Sequence, residues 1–308
     1  MLRLGIVGYP LTHSLSPELH AAFAEVLGLS LRYERYPVAA AGSLAGRLAE
    51  LAAAGLRGVN VTVPHKVRAA ALARACTEEV RACGAANTLR FGGGALELAH
   101  NTDLEGFARA LAEAGIAPAR RSALVLGAGG AARAVALALR RAGGAVWVAA
   151  RRIEQARALV RALEALDSNG VEDGGAAPAL RVCPWPERHA ALAAVELVVN
   201  ATPLGMAPQA AAAPLEEQAG LSPRHAVVDL VYNPRVTLLL RRARAAGARA
   251  IDGTGMLVHQ GIGALELWLG RRFTEAERER LVTAGRAVLA RALGAGAWRL
   301  GDGSLRAW

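Results

Sequence analysis

One lysine is the first chemical oddity of this 308-residue chain. Its 36 cationic residues are 35 arginines and Lys66. An exposed lysine exchanges with arginine at little cost. A buried or reactive amine does not, because guanidinium stays charged and is a planar fork. The surviving amine therefore marks a position where chemistry wants one. Asparagine is similarly scarce, and five of its six copies (Asn60, Asn87, Asn101, Asn200 and Asn233) lie beside other polar residues in short motifs. GVNVTVPHK (58–66) runs a strand into Lys66, with Asn60 and Thr62 expected on one face. GAANT (84–88) and HNTD (100–103) each end on polar residues at strand–loop junctions, and the second ends on Asp103.

Two further groupings suit anions. LVL (124–126) is followed by GAGGAA (127–132) and a helical pattern. Glycine there permits a tight turn and close approach of backbone to a pyrophosphate, and the helix start offers free N–H groups. A plain structural turn is the alternative, but the strand–turn–helix context favours a nucleotide site at Gly127, Ala128, Gly129, Gly130 and Ala131. The next strand ends on Arg151 and Arg152. An acid there would bind a ribose 2′-hydroxyl, whereas arginine suits a 2′-phosphate and hence NADP; the alternative is two solvated arginines. Ser14 and Ser16, two hydroxyls just before a helix, can hold a carboxylate. Taken alone, Ser16 reads more simply as an N-cap ahead of Pro17.

Strands are expected over 2–7, 31–37, 58–63, 88–91, 96–100, 123–126, 146–149, 197–200 and 226–230. Helices are expected over 17–27, 42–54, 66–75, 77–83, 104–114, 131–142, 154–166 and from the capping box at Thr274 to about 293. The three glycines 92–94 read as a hairpin turn. Residues 167–178 read as a surface loop, and the Gly-rich tail from 294 either packs or frays. This alternation predicts an α/β protein with parallel sheets covered by helices on both faces.

More than half the residues are apolar, so a large core can be buried. No apolar run spans a bilayer, and the start has neither basic region nor cleavage site; no membrane segment and no signal peptide are expected. Cys76, Cys83 and Cys183 lack metal-ligand spacing and read as free thiols in a reducing cytoplasm, with no metal. The net charge is +10, yet the arginines are scattered and aromatics make up only 4%, so no nucleic-acid partner is expected. A basic surface that attracts small anions fits the same composition.

The ordered segments GYPLTHSLSP, GVNVTVPHK, GAANTL, HNTD, GAGGAARA, NATPLGM, DLVYNP and DGTGMLVHQG make the chain resemble the shikimate dehydrogenase family over nearly its whole length. The resemblance implies two domains. A split α/β substrate domain comprises residues 1–103 completed by 253–308, and a Rossmann-like NADP-binding domain with a parallel sheet comprises 104–252. It implies reversible reduction of 3-dehydroshikimate to shikimate with NADPH, in aromatic amino acid biosynthesis, by a monomer or homodimer. It places Ser14 and Ser16 on the substrate carboxylate, and Asn60, Thr62, Asn87 and Gln260 on its hydroxyls. Tyr232 would reach the substrate from the cofactor side. Lys66 and Asp103 would be the catalytic pair, and Met206, Leu230 and Gly253 would lie near the cofactor. The family usually has Asn-Arg-Thr or Asn-Arg-Ser where this chain has Ala150-Arg151-Arg152, so Arg151 matches and its neighbours do not.

Within this picture an ammonium donates to the developing alkoxide, and a facing carboxylate orients it. The runner-up is a quinate/shikimate dehydrogenase working catabolically, often with NAD. A catalytically silent nucleotide-sensing or nucleic-acid-binding protein is the alternative from another class; it would need no intact Lys66–Asp103 pair.

Overall fold

A computed structural model describes residues 1–167, 179–294, 298–299 and 305–306. Its first half runs β1 (Leu2–Gly8), α1 (Ser16–Leu27), β2 (Leu31–Pro37), α2 (Leu44–Ala53), β3 (Gly58–Val61), α3 (Lys66–Ala70), β4 (Ala75–Cys76), α4 (Glu78–Cys83), β5 (Thr88–Gly92), β6 (Ala95–His100) and α5 (Asp103–Glu113). The second runs β7 (Ala123–Leu126), α6 (Gly130–Arg141), β8 (Val146–Ala150), α7 (Ile153–Asp167), β9 (Leu180–Pro184), α8 (Arg188–Ala191), β10 (Leu197–Asn200), β11 (Ala226–Asp229), α9 (Leu238–Ala245), β12 (Arg249–Ile251), α10 (Thr254–Leu269) and α11 (Glu275–Leu293). A short antiparallel pair, Trp298–Arg299 with Leu305–Arg306, follows. The surface-loop expectation and most of the tail lie outside the described residues.

β7 to β12 form one six-stranded sheet in the order β12-β11-β10-β7-β8-β9, parallel throughout. The chain starts in the middle, winds to one edge, returns and winds to the other, which is the doubly wound Rossmann order. Where the winding reverses, the C-terminal ends of β7 and β10 part and leave a crevice for a ligand. Both faces are covered, as the continuous apolar runs require. Val125, Val146 and Val199 pack against α5, α6 and α7, while Leu124, Leu126 and Val198 face Leu192, Leu239 and Leu240.

The other sheet has the order β2-β1-β3-β5-β6-β4. It is mixed, not parallel: β5 runs antiparallel to β3 and β6, because β5 and β6 are the two arms of the triglycine hairpin. Along β1, Leu4 and Ile6 face Phe23, Val258, Ile262 and Leu281, while Val7 faces Leu44, Leu48 and Leu51. This period of two sandwiches the sheet between α1, α10 and α11 on one side and α2 on the other.

Three further expectations need correction. The helix expected over 66–75 stops at Ala70, because Ala75–Cys76 pairs with β6 and tertiary pairing overrides the helical propensity of an alanine-rich stretch. The strand expected to reach 63 stops at Val61; the chain turns there, with His65 N–H donating to Thr62 O at 2.9 Å. The capping reading of Ser16 also fails. Leu15 is the N-cap of α1, no side chain caps it, and Ser16 is already helical with its hydroxyl left for other work. The Thr274–Glu277 capping box, by contrast, forms as expected and starts α11.

Candidate active site

Lys66 opens α3 just past the turn that ends β3. Its backbone carbonyl accepts from Ala86 N at 2.8 Å, which ties it to the loop before β5. Its ammonium donates to Asp103 Oδ2 at 2.5 Å. Asp103 is the first residue of α5, and Asn101 Oδ1 accepts its N–H at 3.0 Å. The Asp103 side chain is 4% exposed and that of Lys66 15%, so the charges meet largely out of water, where losing either one is costly.

Asn87 organises this pair. Its Nδ2 donates to Asp103 Oδ1 at 2.8 Å and faces Thr102 Oγ1 at 2.9 Å and Gln260 Oε1 at 3.3 Å. Its Oδ1 accepts from Thr102 N at 2.8 Å. Asn60 stands next to it, donating to Asn87 O at 3.2 Å and Thr88 Oγ1 at 3.1 Å. Thus Lys66, Asp103, Asn60, Asn87 and Gln260, spread over about two hundred residues, form one polar cluster with Asn60, Asn87 and Asp103 buried and Lys66 and Gln260 half-buried. Thr62 sits beyond the end of β3 with its methyl group close against Gly8.

The serines form the other end. Ser14 and Ser16 are buried, with hydroxyls 3.3 Å apart. Tyr232, from the loop after β11, interacts with the Ser14 hydroxyl and the Leu15 backbone, and burial raises its phenol pKa. Arg35 Nη2 braces the same loop through Ser14 O at 2.6 Å. Two residues escaped the sequence reading, Tyr33 and Thr102. Tyr33 is the one buried residue of β2, but Leu31 and Tyr36 share that strand, so residue order alone did not single it out.

The crevice of the parallel sheet meets this cluster directly. Gly127 has φ +116° and a Cβ there would lie 2.9 Å from Ala201 O, so only glycine makes this turn. Gly129 is the N-cap of α6 with open space in front of it, as a pyrophosphate cradle needs. A Cβ on Gly130 would lie 2.4 Å from Lys66 Cβ: the dinucleotide turn and the lysine stem are in contact. Arg151 and Arg152 are exposed just past β8, and Ala150 is the last residue of that strand. Met206 is exposed on the loop after β10, and Gly253 packs against Leu230 O. The residues therefore fit a dinucleotide whose reactive end reaches Lys66.

Asp229 and Asn200 fix the loops carrying Met206 and Tyr232. Asn200 Nδ2 donates to Asp229 Oδ1 at 2.9 Å, and Asn200 Oδ1 accepts from Thr202 N at 3.0 Å. Asp229 also accepts from Val231 N at 3.0 Å and Thr237 Oγ1 at 2.6 Å. Burial pushes its carboxyl from 3.8 up to about 7 against those bonds. The folded protein thus holds a proton that the unfolded chain releases, a contribution present below about 3.8 and lost as pH rises through about 7. Wild type should lose denaturation midpoint relative to Asp229→Asn across that window; a pH-independent difference would contradict it.

Cys83 lies nearby, but burial pushes its thiol up to about 11, which keeps it protonated and unreactive. Among the described residues no group of three or more His, Cys, Asp or Glu is placed to hold a metal ion. No helix among them is long and apolar enough to cross a membrane.

Residues 6–89 match the family model described as the shikimate dehydrogenase substrate binding domain. A shikimate dehydrogenase (NADP(+)) of Symbiobacterium thermophilum is 44% identical over 87% of this chain and 89% of its own length. The chain belongs to the shikimate dehydrogenase family. The crystal structure of shikimate 5-dehydrogenase from Thermus thermophilus, in complex with NADP(H) and shikimate, superposes with a TM-score of 0.77 at 38% identity, covering 94% of this chain and all of that one. A quinate dehydrogenase of Corynebacterium glutamicum in complex with NAD is also similar, with a TM-score of 0.77 at 30% identity over 92% of this chain and 99% of that one. Family membership accounts for the joining of an anion-binding turn to a polar pocket, and the contact of Gly130 with Lys66 is where the two meet in this chain.

Proposed function

We propose that this chain catalyses the reversible NADPH-dependent reduction of 3-dehydroshikimate to shikimate in aromatic amino acid biosynthesis. The observation that carries the reading is the buried Lys66–Asp103 pair pressed against the dinucleotide turn. An acid/base group must reach the carbonyl oxygen while a hydride donor reaches its carbon, and the contact of Gly130 with Lys66 supports that arrangement. Bound NADPH supplies the hydride. Gly127, Ala128, Gly129, Gly130 and Ala131 would hold its pyrophosphate, Arg151 and Arg152 its 2′-phosphate, and Met206, Leu230 and Gly253 would lie near it.

The chain's own residues do the rest. Ser14 and Ser16, with Tyr232, hold the carboxylate and fix the ring. Asn60, Thr62, Asn87 and Gln260 meet the hydroxyls. Lys66 donates to the carbonyl oxygen as negative charge develops on it, and Asp103 keeps the ammonium aimed there. Asn87, bonded to the other Asp103 oxygen, keeps the carboxylate from turning away.

The reading assigns residues 1–103 and 253–308 to the substrate domain and 104–252 to the NADP domain. All six strands of the parallel sheet fall within the second range, and α10 and α11 pack on the β1 side, which supports the division. A monomer or homodimer in a reducing cytoplasm fits three free cysteines.

Quinate with NAD is the competing reading. Arg151 in place of an acid past β8 favours the phosphorylated cofactor. Initial rates of oxidation should be higher with shikimate than with quinate, and higher with NADP+ than with NAD+. The reverse order would assign the chain to the competing reaction. Arg151→Ala should raise the KM for NADPH about tenfold, the scale of a charge-assisted hydrogen bond, with NADH kinetics unchanged.

A further inference from the structure

Between the serine pair and the catalytic pair runs a chain of polar side chains with one polarity. Tyr33 donates its O–H to Asn60 Oδ1 at 2.8 Å. Asn60 Nδ2 donates to Thr88 Oγ1 at 3.1 Å, and Thr88 donates to Asn87 Oδ1 at 3.0 Å. Asn87 Nδ2 donates to Asp103 Oδ1 at 2.8 Å, and the other oxygen of Asp103 holds Lys66. Each link polarises the next, so the chain strengthens as a unit and ends on the one carboxylate that needs it.

At its other end Tyr33 faces the Ser16 side chain, which interacts with the phenol oxygen. Its ring stacks on His20 with centroids 4.3 Å apart, and His20 Nδ1 lies 2.9 Å from Ser16 O. Both rings are buried. Burial holds the phenol protonated, and it lowers the His20 pKa to about 4, so two neutral rings lie beside Ser16.

We propose that Tyr33 is a positioning residue that couples a carboxylate bound at Ser14 and Ser16 to the orientation of Asp103 and Lys66. The proposal rests on the reading of the two serines as carboxylate ligands. When a substrate carboxylate engages the Ser16 hydroxyl, the partner of the Tyr33 phenol changes, and the change passes through Asn60, Thr88 and Asn87 to Asp103. Tyr33 itself is not a catalytic residue.

The test compares shikimate with its neutral methyl ester, each with NADP+, in wild type, Tyr33→Phe and Ser16→Ala. Phenylalanine keeps the ring and its stacking on His20 but leaves buried Asn60 Oδ1 without its phenol donor, so the thermal midpoint should fall by only a few degrees. Tyr33→Phe should lower kcat on the acid about tenfold, the size of one hydrogen bond, and change kcat on the ester by less than about twofold. The KM for NADP+ should not move. Equal losses on acid and ester, or no loss on either, would overturn the coupling. Ser16→Ala should raise the KM for the acid and not for the ester. An unchanged KM for the acid would instead overturn the serine reading, and the coupling with it.

Discussion

Lys66→Met should lower kcat about a thousandfold, within the range seen for removal of an acid/base group, while shikimate binding changes only a few-fold. Methionine keeps an unbranched stem against Gly130 and removes only the charge and the donor. Asp103 is then left buried without its cation, held by Asn87 alone. Some loss of stability follows from that orphaned charge, about 3 kcal/mol or more if nothing relaxes. Lys66→Arg should not restore turnover. A guanidinium stays protonated and presents a planar fork in place of a compact ammonium. Steady-state kinetics with a separate measurement of shikimate affinity distinguishes chemistry from binding. Turnover of the methionine variant within about tenfold of wild type would remove Lys66 from the reaction.

Gly130→Ala should also damage turnover, for a reason visible only in the packing. The added Cβ would lie 2.4 Å from Lys66 Cβ and 3.0 Å from its Cδ, so the stem must shift. Displacing a catalytic group by about 1 Å costs on the order of a hundredfold in rate. Alanine at the start of α6 is a better helix former than glycine by up to about 1 kcal/mol, but the overlap with Lys66 Cβ costs about 1–3 kcal/mol, so stability should fall modestly. A Cβ on Gly129 meets nothing within 4 Å. Gly129→Ala should therefore spare Lys66 and act only on NADPH affinity. Low kcat for Gly130→Ala beside near-normal kcat for Gly129→Ala separates the two glycines. Equal kcat values would mean that the lysine contact has no consequence.

The parallel sheet was legible in the sequence because its signals are local. An apolar strand, a glycine turn and an amphipathic helix recur in order, and 123–126 and 197–200 fall where the strands are. Short edge strands were not legible. β12 is three residues beginning with arginine, and β4 is two residues inside an alanine-rich stretch; pairing with neighbours makes them strands. Likewise Ser16 read as a cap because Pro17 suits either arrangement, and only the backbone at Leu15 decides. In the site, Lys66 stood out by composition, and its approach to Asp103 is a meeting of residues 37 apart that the family motifs implied. The contact with Gly130 and the bridging phenol of Tyr33 depend on long-range packing and leave almost no trace in residue order.

The most direct measurement is the reaction itself: purified protein with 3-dehydroshikimate and NADPH, followed by loss of NADPH absorbance and by isolation of the product. Shikimate should form one for one with NADPH consumed, and the rate should collapse in Lys66→Met. NADPH left unconsumed by the wild-type protein, or consumed equally by the lysine variant, would contradict the account.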